Sequence, residues 1–547
     1  MFLDALSAAG KIISQALFPC SLVCAMIGCN YQGSSPQRSN SLVIAVVAEP
    51  SSLNPLLLQG GAASDVSALG YSFLTKYGTN DAIITDLARV VPSLANGGIS
   101  RDGKQVIYHL RRDALWQDGY PLTARDVVFT YHAIMNPLNA VPSRSGFDRI
   151  KSIRIPNPYT VIVSLTEPDA PFVAQFFGGD SNYPILPAHL LAGYQSLNHV
   201  PFNEAPVGSG PYRFTRWLRA DRLDLTANDR YYGGRPSVQH LSIRVVRDST
   251  TIVNQLSTHE VDATFFAIPS TITALRSIAD HRVIVTPVPY FAALVFNMRD
   301  SILNDLAVRR ALALAIDRRS VVKKATLGLY DADTGMRGMF TWAFDRSAGK
   351  SEYNRSLARS LLRQDGWAPS SDGIRMKNGR RLEVQLIFNA HSFARAEVVP
   401  MIIESARNVG IDLVTRAEDP NAMVSLDGPL YQGKFQVALL TYQHSIDPDP
   451  SDFVTCAQRA PKGFNWPRYC NEDVDRDALR GLLTYDRAER RRFYGLIQRR
   501  LGLDVPYYFL WQTSEIDVLP SDLRGYQPSG GSPFNSVAHW RLDGKAT

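Results

Sequence analysis

Long apolar runs are missing from this chain once its N-terminus is passed. No later stretch keeps the ~20 consecutive apolar residues that a membrane span requires, so the body is not expected to cross a bilayer. The common catalytic signatures are missing too: there is no Gly-x-Ser-x-Gly elbow, Walker loop, His-Glu-x-x-His or Cys-x-x-Cys, and the ten histidines are scattered singly. Those absences exclude the familiar serine-hydrolase, P-loop, zinc-peptidase and dithiol chemistries. No repeat of fixed period and no long low-complexity tract appears. Charge of one sign is scarce as well, with 58 Lys and Arg against 51 Asp and Glu, a net of +7. Arginine clusters such as Arg309-Arg310, Arg318-Arg319 and Arg490-Arg491-Arg492 are interleaved with acids. No aromatic-basic recognition motif accompanies them, so nucleic acid is not an expected partner.

Cysteine is scarce, five in 547 residues. Cys20, Cys24 and Cys29 fall in or at the end of a short apolar stretch, residues 12–28, which closes on Met26-Ile27-Gly28-Cys29. Its length and the small residue before Cys29 fit an export signal better than a spanning helix. The stretch resembles a lipoprotein signal, with Cys29 as the lipidated first residue of the mature chain; an uncleaved anchor is the alternative. Residues 30–41 then read as a polar tether. That leaves Cys456 and Cys470, an even pair in an exported chain, which favours a disulfide over a metal site.

What is present is an ordinary folding composition: 45% hydrophobic, 20% charged, enough length for about three domains on a prior of ~150 residues each,. Leu42-Val43-Ile44-Ala45-Val46-Val47 reads as a strand buried on both faces. Alternating segments follow at 106–110, 160–165, 212–217 and 222–227, the last two as a hairpin. Further strands are expected at 241–246, 283–288, 294–297, 382–388, 411–414, 435–442 and 507–511. Thr123 caps a helix that Asn136-Pro137 stops, Asp305 caps another with Gly328 beyond its end, and Asp486 with Glu489 forms a capping-box pattern. Strands and helices thus alternate in two regions, about 42–285 and 290–510, which argues for two α/β lobes.

Five segments in order resemble family 5 of the extracellular solute-binding proteins, the dipeptide-, oligopeptide- and nickel-binding components of ABC importers. They are residues 94–129 with Trp116, Asp118-Gly119 and Pro121-Leu122-Thr123-Ala124; Val207-Gly208-Ser209-Gly210-Pro211-Tyr212; residues 296–318 with Val308-Arg309-Arg310-Ala311-Leu312; residues 358–367 (ARSLLRQDGW); and Asp447-Pro448-Asp449 with Asn465 and Tyr469-Cys470-Asn471. The resemblance implies a two-lobed periplasmic-binding-protein fold of class II, α/β, with an extra subdomain in lobe I and two crossover strands near 287–297 and 507–517. On it, residues 42–288 form lobe I with an insertion at roughly 80–205, residues 289–512 form lobe II, and residues 513–547 return to lobe I. The function implied is capture of a peptide or peptide-like solute in the cleft by hinge closure, for delivery to a permease and its ATPase. The chain is then an exported, membrane-tethered monomer that needs no cofactor and no metal, and it is not an enzyme.

The same resemblance assigns candidate ligand contacts. Ser51, Ser52 and Asn54 follow the first strand, and Gly208 and Ser209 lie in a turn where backbone can approach a ligand. Arg337 and Trp342 sit in a variable stretch, with Arg337 offering a planar fork to a carboxylate. Tyr442 stands where peptide-binding relatives carry an aromatic. Three residues on, where they carry an aspartate for the peptide ammonium, this chain has Ser445, and Asp447 is the expected substitute. Phe464, Asn465 and Trp466 are expected to face the cleft from the Cys456–Cys470 loop. Two other readings stay open. One is a glycoside-acting enzyme using two of Asp447, Asp449 and Asp452; the other is a binding protein for an oligosaccharide or metal chelate.

Overall fold

A computed structural model describes residues 40–543, apart from 59, 79–81, 145, 180–182, 333–335, 349–351, 391, 393–396 and 529–531. The signal, Cys29 and nearly all of the tether lie outside the described residues. Ten strands make one sheet, in the order Asp412–Glu418, Glu383–Asn389, Val437–Gln443, His281–Phe296, Tyr507–Pro520, Ala263–Thr264, Ser41–Val46, His240–Val245, Arg222–Ala227 and Tyr212–Leu218. Ser41–Val46 runs parallel to both its neighbours, as a strand with alternate residues fully buried does when helices cover the sheet,. Glu383–Asn389 does the same at the other end.

The two halves meet through two long antiparallel strands, His281–Phe296 and Tyr507–Pro520. These are the crossovers between the lobes. Residues 283–288 and 294–297, expected as separate strands, are one strand of 16 residues, because Pro287 and Pro289 are absorbed in a register shift between Pro287 and Phe291. A bulge takes up the missing amide donors without ending the strand.

Alternation along the first crossover builds two cores at once. Ala292, Leu294 and Phe296 pack into one apolar cluster of the second lobe, and Phe291, Ala293 and Val295 into another on the opposite face,. A separate core fills the first lobe around Tyr71, Trp116 and Trp540. Trp540 follows the short helix Pro533–His539 and packs into this same core. A three-stranded antiparallel sheet, Gln105–His109, Thr160–Leu165 and Ile150–Asn157, packs on that core as the extra subdomain.

Caps set the helices. Thr123 and Asp126 form a reciprocal capping box on Ala124–Met135,. Asp305 caps Leu306–Ala315, which stops at Ile316; Asp317 then caps a second helix, Arg318–Ala325, and Gly328 with φ +78° lies beyond that one. One expected helix is therefore two. Asp486 caps Arg487–Asp504, but Glu489 bonds the Thr484 hydroxyl at 2.9 Å in place of closing the box. Among the described residues no helix is long and apolar enough to cross a membrane.

Candidate ligand-binding cleft

The lobes touch at the mouth of a cavity of about 390 Å³. Tyr77, Ile83 and Ala170 line it from the first lobe; Trp342, Asp447 and Arg490 line it from the second. The Ala170 amide donates to the Leu482 carbonyl (2.9 Å), and the Tyr485 hydroxyl donates to the Gly103 carbonyl (3.1 Å). Both are polar contacts between lobes, the kind that interfaces between domains commonly carry.

Trp342 is the expected site residue best placed on this wall. Its ring is half-buried, with the Arg487 guanidinium 4.3 Å and the Arg490 guanidinium 5.4 Å from its centre,. Asp447 is here too, but it is not available as an ammonium partner. Arg490 binds it with two bonds of 2.8 and 2.6 Å, and both side chains are nearly buried,. Burial weighs against the Arg490 charge, and Asp447 more than restores it. The expected substitution of Asp447 for Ser445 is thus corrected by a neighbour 43 residues away in sequence. Ser445 accepts the Asp447 amide at 3.0 Å, as turn serines do,.

The loop beyond it carries more carboxyls into the interface. Arg149 of the first lobe pairs with the fully buried Asp169 at 3.1 Å. Asp449 and Asp452 of the second lobe bear on the same group. Burial and then the nearby Asp449 push Asp452 up to about 6, against the pull of Arg149. Burial raises Asp169 to about 6 as well, with Arg149 opposing it and Asp449 adding to it.

Other expected contacts are committed elsewhere. Asn54 is fully buried, accepts the Leu56 amide as a cap, and donates to the Asn203 side chain. Ser52 accepts the Asn54 amide and donates to the Asn203 carbonyl, while Ser51 is exposed. Gly208 serves close packing and not ligand approach: a Cβ there would stand 1.8 Å from the Gly70 carbonyl oxygen. Ser209 is wholly buried, with its carbonyl accepting from Ser72. Arg337 is exposed on the short helix Arg337–Phe340.

Tyr442 stacks on Phe291 at 4.8 Å and packs beside Trp466 at 5.1 Å, inside the second-lobe core,. Asn465 is wholly buried and holds the Thr455 and Tyr469 carbonyls, and Phe464 packs on Phe453. The Cys456–Cys470 bond closes this loop, as the even pair implied. The loop therefore braces the cleft wall from behind, which corrects the expectation that Asn465 and Trp466 face the cleft. The residues that sequence reasoning missed are Arg149, Asp169, Arg487 and Arg490. Only Arg490 left a trace, as part of a basic run read as a solvated face.

Two lobes, paired crossover strands and an interlobe cavity set the frame for comparison with known proteins. The model of the bacterial extracellular solute-binding proteins, family 5, matches residues 89–463, well over half of the chain. The chain belongs to this family. As a family 5 solute-binding protein it is a binding protein and not an enzyme, which removes the glycoside-acting alternative. It is 27% identical over 514 residues to the oligopeptide-binding protein AppA of Bacillus subtilis, covering 93% of this chain and 92% of that protein. It is 28% identical to protein XP55 of Streptomyces lividans, over 88% of this chain and 85% of that one. Among solved structures, B. subtilis AppA in complex with a nonapeptide superposes with a TM-score of 0.79 at 25% identity, covering 93% and 99% of the two chains. NikZ of Campylobacter jejuni in complex with Ni(L-His) gives 0.79 at 26% identity, covering 92% and 99%.

Proposed function

We propose that this family 5 protein captures a peptide or peptide-like solute between its lobes and presents it to the permease of an ABC importer. The observation that carries the reading is full-length similarity to AppA, whose structure holds a nonapeptide, together with a cavity walled by both lobes of this chain. The reading takes residues 42–288 and 289–512 as the two lobes and residues 513–547 as the return to the first. It places Cys29 on the membrane surface as a lipid anchor and the protein outside the cytoplasm as a monomer. Contacts to the solute are assigned first to Trp342 and the loop at Ser445, where the cavity wall carries both aromatic and polar surface.

Thermal melting in the presence of peptide pools tests it, since a ligand that binds only the folded state raises the melting temperature. Saturable stabilisation at one peptide per chain, with no product formed, is the expected result. Stabilisation by nickel–histidine and by no peptide would move the assignment to a metal chelate, the reading favoured by the likeness to NikZ.

A further inference from the structure

On the second crossover strand, Thr513, Glu515 and Asp517 occupy alternate positions and so project from one face,. Glu515 is 3% exposed and Asp517 is fully buried. Each of the three has a buried oxygen that meets no hydrogen-bond donor: Thr513 Oγ1, Glu515 Oε1 and Asp517 Oδ1. A buried acceptor left unpaired is costly to a fold. Glu515 and Asp517 also share a side-chain hydrogen bond, and Asp517 takes the Phe266 amide; it is one oxygen of each acid, with Thr513 Oγ1, that stands without a partner on the strand that joins the lobes.

Neighbouring elements add acid to this row. Asp65, on the helix Gly60–Gly70, bears on Glu515, and Tyr290 of the first crossover bears on both. Tyr290 lies in the bulge, where three residues, Val288 to Tyr290, stand against Thr513. Asp65 and Tyr290 are half-buried and Gln443, which bonds Tyr290, is exposed, so that side of the row lies nearest the surface. The Tyr526 hydroxyl is spent on Asp517 and the Ser532 hydroxyl on Asp65, while the Arg282 guanidinium beside Tyr526 bonds the Leu523 carbonyl through one nitrogen and keeps a buried Nε without a partner. Burial, then Asp517 and Asp65, drive Glu515 up to about 10, and burial drives Asp65 up to about 7.

We propose that the row Thr513–Glu515–Asp517, with Asp65, is the subsite that receives an ammonium or guanidinium group of the solute. This rests on the peptide-like reading above and supplies the carboxylate that Ser445 does not. An organic cation suits the site because it spreads several N–H donors over separate oxygens. A bare metal ion does not: among the described residues no group of three or more His, Cys, Asp and Glu is placed to hold one. The proton balance follows. The incoming cation brings one positive charge, Glu515 releases its proton to solvent, and the carboxylate left behind pairs with the cation.

Calorimetric titration with four alanine-based tetrapeptides tests this: with and without one lysine, each with a free or an acetylated N-terminus. Peptides carrying an ammonium should bind at least about tenfold more tightly than the acetylated neutral one. Titrating the acetylated lysine peptide in two buffers of different ionisation enthalpy should show net proton release near neutral pH. Glu515→Gln, neutral like the protonated acid, should keep the melting temperature, narrow the affinity gap and abolish the proton release. Thr513→Val should shift affinity in the same direction. Binding of all four peptides within about threefold of one another, or an unchanged gap in Glu515→Gln, overturns the subsite and leaves peptide binding standing. Failure of every peptide to bind overturns the peptide reading, and the subsite with it.

Discussion

Arg490 and Asp447 meet with side chains 7% and 10% exposed, so each charge depends on the other for its solvation. Replacing Arg490 with Met alone leaves a carboxylate stranded, at a cost of about 3–5 kcal/mol. The double change Arg490→Met with Asp447→Leu should recover most of that loss, which urea denaturation of the three variants will measure. Asp452 makes a prediction of opposite sign. Its pKa in the folded protein is about 6 against an ordinary 3.8, so the folded state holds the proton more tightly than the unfolded one. That stabilises the fold below about pH 4 and is lost as pH rises through about 6. Asp452→Asn should therefore melt about 1–3 °C above the parent near pH 8, with the gap closing near pH 4.

Elements hold the cleft wall in place from behind. The Cys456–Cys470 bond closes a loop with a sequence separation of 14 and ties it to the helix Glu472–Leu483. Exchanging both cysteines for serine should lower stability by about 3 kcal/mol through restored freedom of the unfolded chain, read as a shift in the urea midpoint. The Gly208 turn is braced by backbone proximity: its amide and carbonyl both bond Gln117, and the Gly70 carbonyl leaves no room for a side chain. Gly208→Ala should destabilise the first lobe by about 1–3 kcal/mol, the range for overpacking a filled core. Amide hydrogen exchange should show the loss of protection first at Gln117 and Tyr71. At this scale the sequence was largely readable. Thr123, Asp305 and Asp486 cap helices because an oxygen beside free amides acts locally. Glu489 escaped because Thr484, five residues back, offers a competing partner that no local pattern weighs.

The described residues form two α/β lobes on one sheet, joined by two strands that belong to both. If solute draws the lobes together, small-angle scattering should show a smaller radius of gyration with peptide than without. The bound form should approach the roughly 24 Å expected of a compact chain of this length. An unchanged radius at saturating peptide would mean that the lobes do not move against each other.

By itself the sequence determined the two lobes, the caps, the cysteine pair and the family, since these depend on local spacing or on segments met in order along the chain. The tertiary structure decided which polar groups remain free. Asn54, Asn465 and Asp447 looked available and are spent on partners distant in sequence. Arg149 and Asp169, unremarkable in the chain and both in the first lobe, pair beside Asp449 and Asp452 of the second. Thr513, Glu515 and Asp517 stand in plain alternation in a strand, but only the fold shows that one oxygen of each is left without a partner. Whether a side chain is free depends on what the rest of the chain brings beside it, and three-dimensional packing alone supplies those neighbours.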